Sequence, residues 1–67
     1  MTSDLDIYRS AQVMITQHGD KAAHEAALRA DALMKAGDTA GISIWLRIVE
    51  AIRTLQRREP PQGAPRH

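Results

Sequence analysis

Four side chains in the first half of the chain are of types that bind metal ions: His18, His24, Glu25 and Asp31. Two ligands on one helix normally lie three or four residues apart, whereas His18 and His24 are six apart with a glycine between them. His24 and Asp31 are seven apart, a spacing that suits an ordinary contact on one helical surface. We therefore predict no metal ion and no other cofactor.

The stretch "GDTAG" at 37–41 raises the question of phosphate binding, since backbone N–H groups at a helix start attract anions. A Walker loop has the pattern Gly-x-x-x-x-Gly-Lys-Ser/Thr, and no lysine follows Gly41. Asp38 would also repel an anion. Gly37-Asp38 and the similar Gly19-Asp20 are interpreted as breaks in which glycine ends one helix and aspartate caps the next.

Nucleophilic catalysis has little support in the residue content. The chain has no cysteine, and Ser3, Ser10 and Ser43 have no histidine and acid at a suitable spacing. A chain of 67 residues also has little room for a catalytic cleft. We expect no enzymatic activity and no small-molecule substrate.

The positive charge is concentrated at the C-terminal end. Residues 47–67 contain five arginines and two glutamates, for +3, whereas residues 1–46 contain four Lys/Arg and six Asp/Glu, for −2. The second and third predicted helices loosely imitate a helix-turn-helix, but the start of the third has no basic or amide side chain that could read bases. Non-specific phosphate binding stays open as the alternative function, and the candidate contacts are Arg47, Arg53, Arg57 and Arg58.

Apolar residues recur at helical spacing in three segments, which predicts helices at 4–17, 21–36 and 39–57. Ser3 is a good N-cap for the first of them. The predicted fold is all-α, a compact three-helix unit over residues 1–58 with short Gly-Asp turns. Residues 59–67 contain all three prolines and are predicted to form a disordered tail.

The second helix contains seven alanines, and their smooth face places this helix at the centre of the predicted packing. On its outer side we expect the i,i+4 ion pairs Lys21–Glu25, Glu25–Arg29 and Asp31–Lys35. The predicted core comprises Ile7, Tyr8, Ala11, Met14, Ile15, Ala23, Ala26, Ala27, Ala30, Leu33, Met34, Ile44, Trp45, Ile48, Ile52 and Leu55.

The expected cellular location rests on two patterns that the sequence lacks, a secretory signal and an apolar run long enough to span a membrane. The acidic N-terminus does not resemble a secretory signal, and the longest uncharged apolar run is far below the roughly 20 residues that span a membrane. We expect a cytoplasmic protein that does not enter a membrane.

The apolar arc of the third helix covers roughly 200°, which is wider than one packing face requires. Several apolar residues fall outside the main faces of their helices and can mark an association surface. We predict a small structural or interaction protein that associates with itself or serves as an adaptor subunit for another protein. The assembly that we expect is a homodimer with two-fold symmetry, centred on the third helix near Ile42 and Leu46. The predicted interface consists of Val13, Leu28, Ile42, Leu46 and Arg53.

The run from Tyr8 to Gln56 resembles a group of small uncharacterised alphaproteobacterial proteins. The resemblance rests on Tyr8-Arg9, His18-Gly19, Arg29-Ala30-Asp31, Ala36-Gly37-Asp38 and Trp45 to Ile48. It implies a small bacterial helical protein, and it assigns no activity and no site residue.

Overall fold

The structure, a computed structural model, describes residues 3–58, with side chains through residue 57. Helix α1 spans Asp4–His18, a 3-10 turn follows at Gly19–Lys21, α2 spans Ala22–Ala36 and α3 spans Thr39–Arg58. Residues 3–58 contain no strand. The all-α prediction is confirmed, and each helix boundary lies within one residue of the predicted one. The predicted tail at 59–67 lies outside the described residues.

Local capping explains where α1 begins and where α2 gives way to α3. The Ser3 hydroxyl accepts a hydrogen bond from the Asp6 N–H at 3.2 Å. Gly37 has a φ of 76°, a left-handed conformation that ends α2 without steric cost. The Asp38 carboxylate then accepts from the Gly41 N–H at 2.9 Å and caps α3. The Gly37-Asp38 interpretation agrees with the structure.

The first Gly-Asp pair behaves differently, and the predicted Asp20 cap is wrong. A 3-10 turn lies between α1 and α2, and α2 begins after Lys21 with no side-chain cap. The extra turn sets Asp20 too far ahead of α2 to bond its free N–H groups. The junction is held by α3 instead, because the Gln56 amide Nε2 donates to the Gly19 carbonyl at 3.0 Å.

Helix α3, not α2, is the centre of the packing. It packs against both other helices, most extensively against α2, whereas α1 and α2 share the smallest contact. The large buried side chains of the α2–α3 contact, Ile48, Val49 and Ile52, come from α3, and the alanines of α2 let them approach closely. The turn is equally tight, since a Cβ added at Gly41 would lie 3.0 Å from the Leu33 Cδ1.

The core is mainly the predicted one, but two predicted members are exposed, and three buried residues, Ala22, Val49 and Ala51, were not predicted. Tyr8 is 41% exposed and Met34 is 56% exposed. Leu33 lies against Gly41, whereas the first residue of α1, Asp4, pairs with Arg47. Gly41 and Arg47 are six residues apart on α3, which corresponds to about 9 Å along the helix axis. Helix α1 therefore begins about 9 Å beyond the level of Leu33 and does not cover the neighbouring Met34. The buried hydrophobic residues are Ile7, Ala11, Met14, Ala22, Ala26, Ala30, Ile48, Val49, Ala51 and Ile52.

Tyr8 is exposed for a different reason. It lies on the rim of a groove between α1 and α3 that Glu50 and Thr54 line from the other side. No side chain from α2 lines this groove, so the ring keeps one side in solvent. No helix among residues 3–58 has the length and apolar content needed to cross a membrane.

We predict that Ile52→Ala lowers the free energy of unfolding by about 2–5 kcal/mol, because Ile52 is the largest fully buried side chain described and its loss leaves a cavity. Leu46→Ala removes a side chain of similar size from a half-exposed site and is expected to cost less than about 1 kcal/mol. Urea unfolding followed by circular dichroism measures both. Equal losses would contradict the assignment of Ile52 to the core centre.

Candidate interaction surface

Shallow grooves on the surface of the described residues are the places where a ligand could bind. One, of about 230 Å³, lies between α1 and α3 and is lined by Asp4, Tyr8 and Arg47 among others. Another, of about 350 Å³, lies at the end of the bundle beside Gly19 and Gln56. Residues 3–57 contain no group of three or more His, Asp or Glu side chains placed to hold a metal ion.

Among the four side chains of types that bind metal ions, His18 is the one with a buried polar atom that has no partner among the described residues. It is half-buried, and its Nε2 atom is buried without a hydrogen-bond partner among the described residues. His24, by contrast, is exposed on α2.

Arg47 forms an ion pair with Asp4, the first residue of α1. Its Nη2 lies 2.6 Å from the Asp4 Oδ1, and both side chains are exposed to solvent. An exposed ion pair of this kind adds little stability, but it shows that the start of α1 lies beside the middle of α3. It also neutralises one of the four candidate phosphate contacts.

Two of the remaining candidates lie on one exposed stripe. Arg53 and Arg57 are both exposed and one helical turn apart on α3. The side chain of Arg58 lies outside the described residues. The predicted phosphate contacts are therefore brought together only in part.

Arg29 packs across the α2–α3 contact. Its guanidinium carbon lies 5.3 Å from the centre of the Trp45 ring, a cation–π geometry. The expected i,i+4 ion pairs of α2, Glu25–Arg29 among them, are not formed within residues 3–57. The half-buried Trp45 packs against the core, as predicted, and Arg29 covers part of its remaining surface.

The exposed apolar residues are the most unusual feature of the molecule. Six large hydrophobic side chains are exposed in the described residues, namely Leu5, Tyr8, Val13, Leu28, Met34 and Leu46. Five are buried, namely Ile7, Met14, Ile48, Val49 and Ile52. Six more are half-buried, namely Ile15, Leu33, Ile42, Ile44, Trp45 and Leu55. The exposed six are a minority, but they leave apolar surface available for association.

The predicted interface residues occupy three different helices. Val13, Leu28 and Leu46 are 52%, 46% and 51% exposed, and each lies on the side of its helix away from the buried residues. Ile42 is half-buried beside Leu46 on α3, and Arg53 continues the same stripe. The structure thus brings Ile42, Leu46 and Arg53 together and separates Val13 and Leu28 from them.

Sequence reasoning missed Leu5, the most exposed of these side chains at 62%. The signal was present, because Leu5 lies two residues before Ile7 and therefore falls off the apolar side of α1.

Comparison with known proteins adds no relative: no family model matches the chain, and no curated protein or solved structure shows significant similarity to it. The resemblance to small alphaproteobacterial helical proteins stays a prediction.

We predict that Arg29→Gln makes Trp45 more accessible, because the guanidinium that covers the ring is lost. As Trp45 is the only tryptophan, its fluorescence reports the change without interference. Acrylamide quenching is expected to increase, and the free energy of unfolding to fall by about 0.5–1 kcal/mol. The control is Lys35→Gln, which removes a positive charge from an exposed site at the end of α2. Equal quenching of the two variants would show that Arg29 does not shield the ring.

Proposed function

We propose that the chain is a small, non-catalytic interaction protein of the cytoplasm that associates with a second copy of itself. The surface that mediates this association is the α3 face, which we define as Ile42, Leu46 and Arg53. The two-fold homodimer predicted from the sequence is one assembly of this kind.

The exposure of Leu46 carries the proposal. It lies next to Ile42 one turn away, so two aliphatic side chains form an apolar patch in the first half of α3. Association would remove this patch from water, and burial of apolar surface contributes about 25 cal/mol per Å².

The composition of the core supports the same conclusion. Five of the ten buried hydrophobic residues are alanines, which bury little area each. A chain of this length buries only about 60% of the surface of its unfolded form, so its stability is marginal without support. In the absence of cysteine, association is one of the remaining ways to add apolar burial.

The alternative function, binding of nucleic acid, rests on Arg53 and Arg57. Two exposed arginines one turn apart can hold phosphates, but the ion pair of Arg47 with Asp4 reduces the basic cluster. Phosphate binding weakens steeply as salt rises, so a salt titration with duplex and single-stranded oligonucleotides tests it directly. Lack of binding at low salt would eliminate this alternative.

We predict that Leu46→Glu weakens self-association by about tenfold, because a carboxylate would be buried in the apolar centre of the contact. Sedimentation velocity across a wide range of protein concentration measures the dissociation constant. His24→Glu, at an exposed site on the outer side of α2, is the control and should associate like the parent. A parent protein that stays monomeric at high micromolar concentration would contradict the proposal.

A further inference from the structure

Leu46 is followed along the exposed side of α3 by two charges of opposite sign. Glu50 lies four residues after it and Arg53 seven residues after it, and all three side chains are exposed. Within residues 3–57 neither charge takes part in an ion pair, since the single pair found there joins Arg47 and Asp4. The face therefore presents an apolar, an acidic and a basic group in that order.

The exposed side of α1 presents the complementary order in the opposite chain direction. Arg9 lies four residues before Val13 and Asp6 seven residues before it, and all three side chains are exposed. At 1.5 Å per residue, both series place their charges about 6 Å and about 10.5 Å from the apolar residue. Asp6 and Arg9 are also free of ion pairs in the described part of the chain.

We propose that the exposed side of α3 that carries Leu46, Glu50 and Arg53 packs antiparallel on the exposed side of α1 of a second copy of this chain. In this register Leu46 meets Val13, Glu50 meets Arg9, and Arg53 meets Asp6. The antiparallel direction also sets the helix dipoles in their favourable orientation. This inference rests on the proposed self-association and specifies which surface of the second copy is bound.

Charge decides between this arrangement and a pairing of α3 with α3. If two α3 helices met antiparallel on a two-fold axis at Leu46, Glu50 would lie opposite Ile42, and Arg53 opposite Thr39. Glu50 would lose water without an oppositely charged partner, which is costly, and Arg53 would have only Asp38, which already caps α3, near it. Against α1, each of them meets an opposite charge, and the apolar residues still meet each other.

The proposed contact joins two different surfaces, so it is heterologous. Each copy that binds through α3 keeps its own α1 face free for another copy, and association continues beyond two chains until a ring closes or the protein is exhausted. A mass that rises past the dimer with concentration is therefore expected, whereas a two-fold contact stops at two.

A charge exchange between Arg9 and Glu50 tests the register. Arg9→Glu sets two carboxylates opposite each other and Glu50→Arg sets two guanidinium groups opposite each other, so each single variant should weaken association by about fivefold at low salt. The double variant restores opposite charges and should associate within about twofold of the parent. Sedimentation velocity measures association, and circular dichroism establishes that each variant keeps the helical content of the parent.

A second pair of variants tests the apolar contact between Leu46 and Val13 instead of the ion pair between Glu50 and Arg9. Val13→Glu should weaken association as Leu46→Glu does, whereas Leu28→Glu should not, because Leu28 lies on the outer side of α2 and outside the proposed contact. If the parent associates and Leu46→Glu weakens it, but Val13→Glu has no effect or the double variant fails to recover, the use of α1 is wrong and the proposed function stands. A mass that stops at two chains would likewise overturn the α1 contact. A monomeric parent would overturn both proposals.

Discussion

The close approach of α3 to the alanine face of α2 is the interaction on which the rest of the molecule depends. Ala22, Ala26 and Ala30 are all buried, and Ala22 and Ala26 belong to the same buried cluster as Ile48 and Ile52. Because alanine has no side chain beyond Cβ, it lets a neighbouring helix approach closely. The turn that joins the two helices is also close-packed, because a Cβ at Gly41 would lie 2.9 Å from the Asp38 Oδ2 and 3.0 Å from the Leu33 Cδ1, so both side chains would have to shift. Helix α1 is added to this pair through α3.

The attachment of α1 explains which surfaces stay open. Its first residue, Asp4, pairs with Arg47, and Gly19, which follows its last residue, accepts a hydrogen bond from Gln56. The two ends of α1 therefore lie beside the middle and the end of α3. The first turns of α3 and the last turn of α2 receive no cover from α1. Met34 is left exposed for this reason. The molecule is thus a helical pair with a third helix that covers only part of it.

An alanine-based interface has a further consequence for function. It brings helices close together, but it buries less apolar area per residue than an interface of leucines and isoleucines. Larger apolar residues such as Val13 and Leu46 lie on outward helical faces, where about half of each side chain stays in solvent. Beside them lie Arg9 and Glu50, exposed and without ion-pair partners in the described residues. The packing that buries little apolar area within one chain therefore also leaves apolar and charged surface to which a second chain could bind.

The sequence by itself determined the helices and the α2–α3 turn, because these depend on neighbours within about four residues. Helical periodicity, the Ser3 cap and the pair Gly37-Asp38 all act over that range, and the predicted helices agree with the structure to within one residue. Most of the core was also predicted correctly, because the helical spacing of the apolar residues shows which side of each helix is buried.

The tertiary structure decided everything that depends on how far one helix extends along another. The exposure of Met34 follows from where α1 begins on α3, and the failure of Asp20 as a cap follows from an extra 3-10 turn at a junction that Gln56 holds. Arg29 lies over Trp45 because α3 offers an aromatic face within its reach, which outweighs an exposed pair with Glu25. For the candidate surface, the sequence identified Leu46 and Val13 as misplaced apolar residues. How much of each side chain stays in solvent, about half in both cases, was decided only when the three helices were packed together.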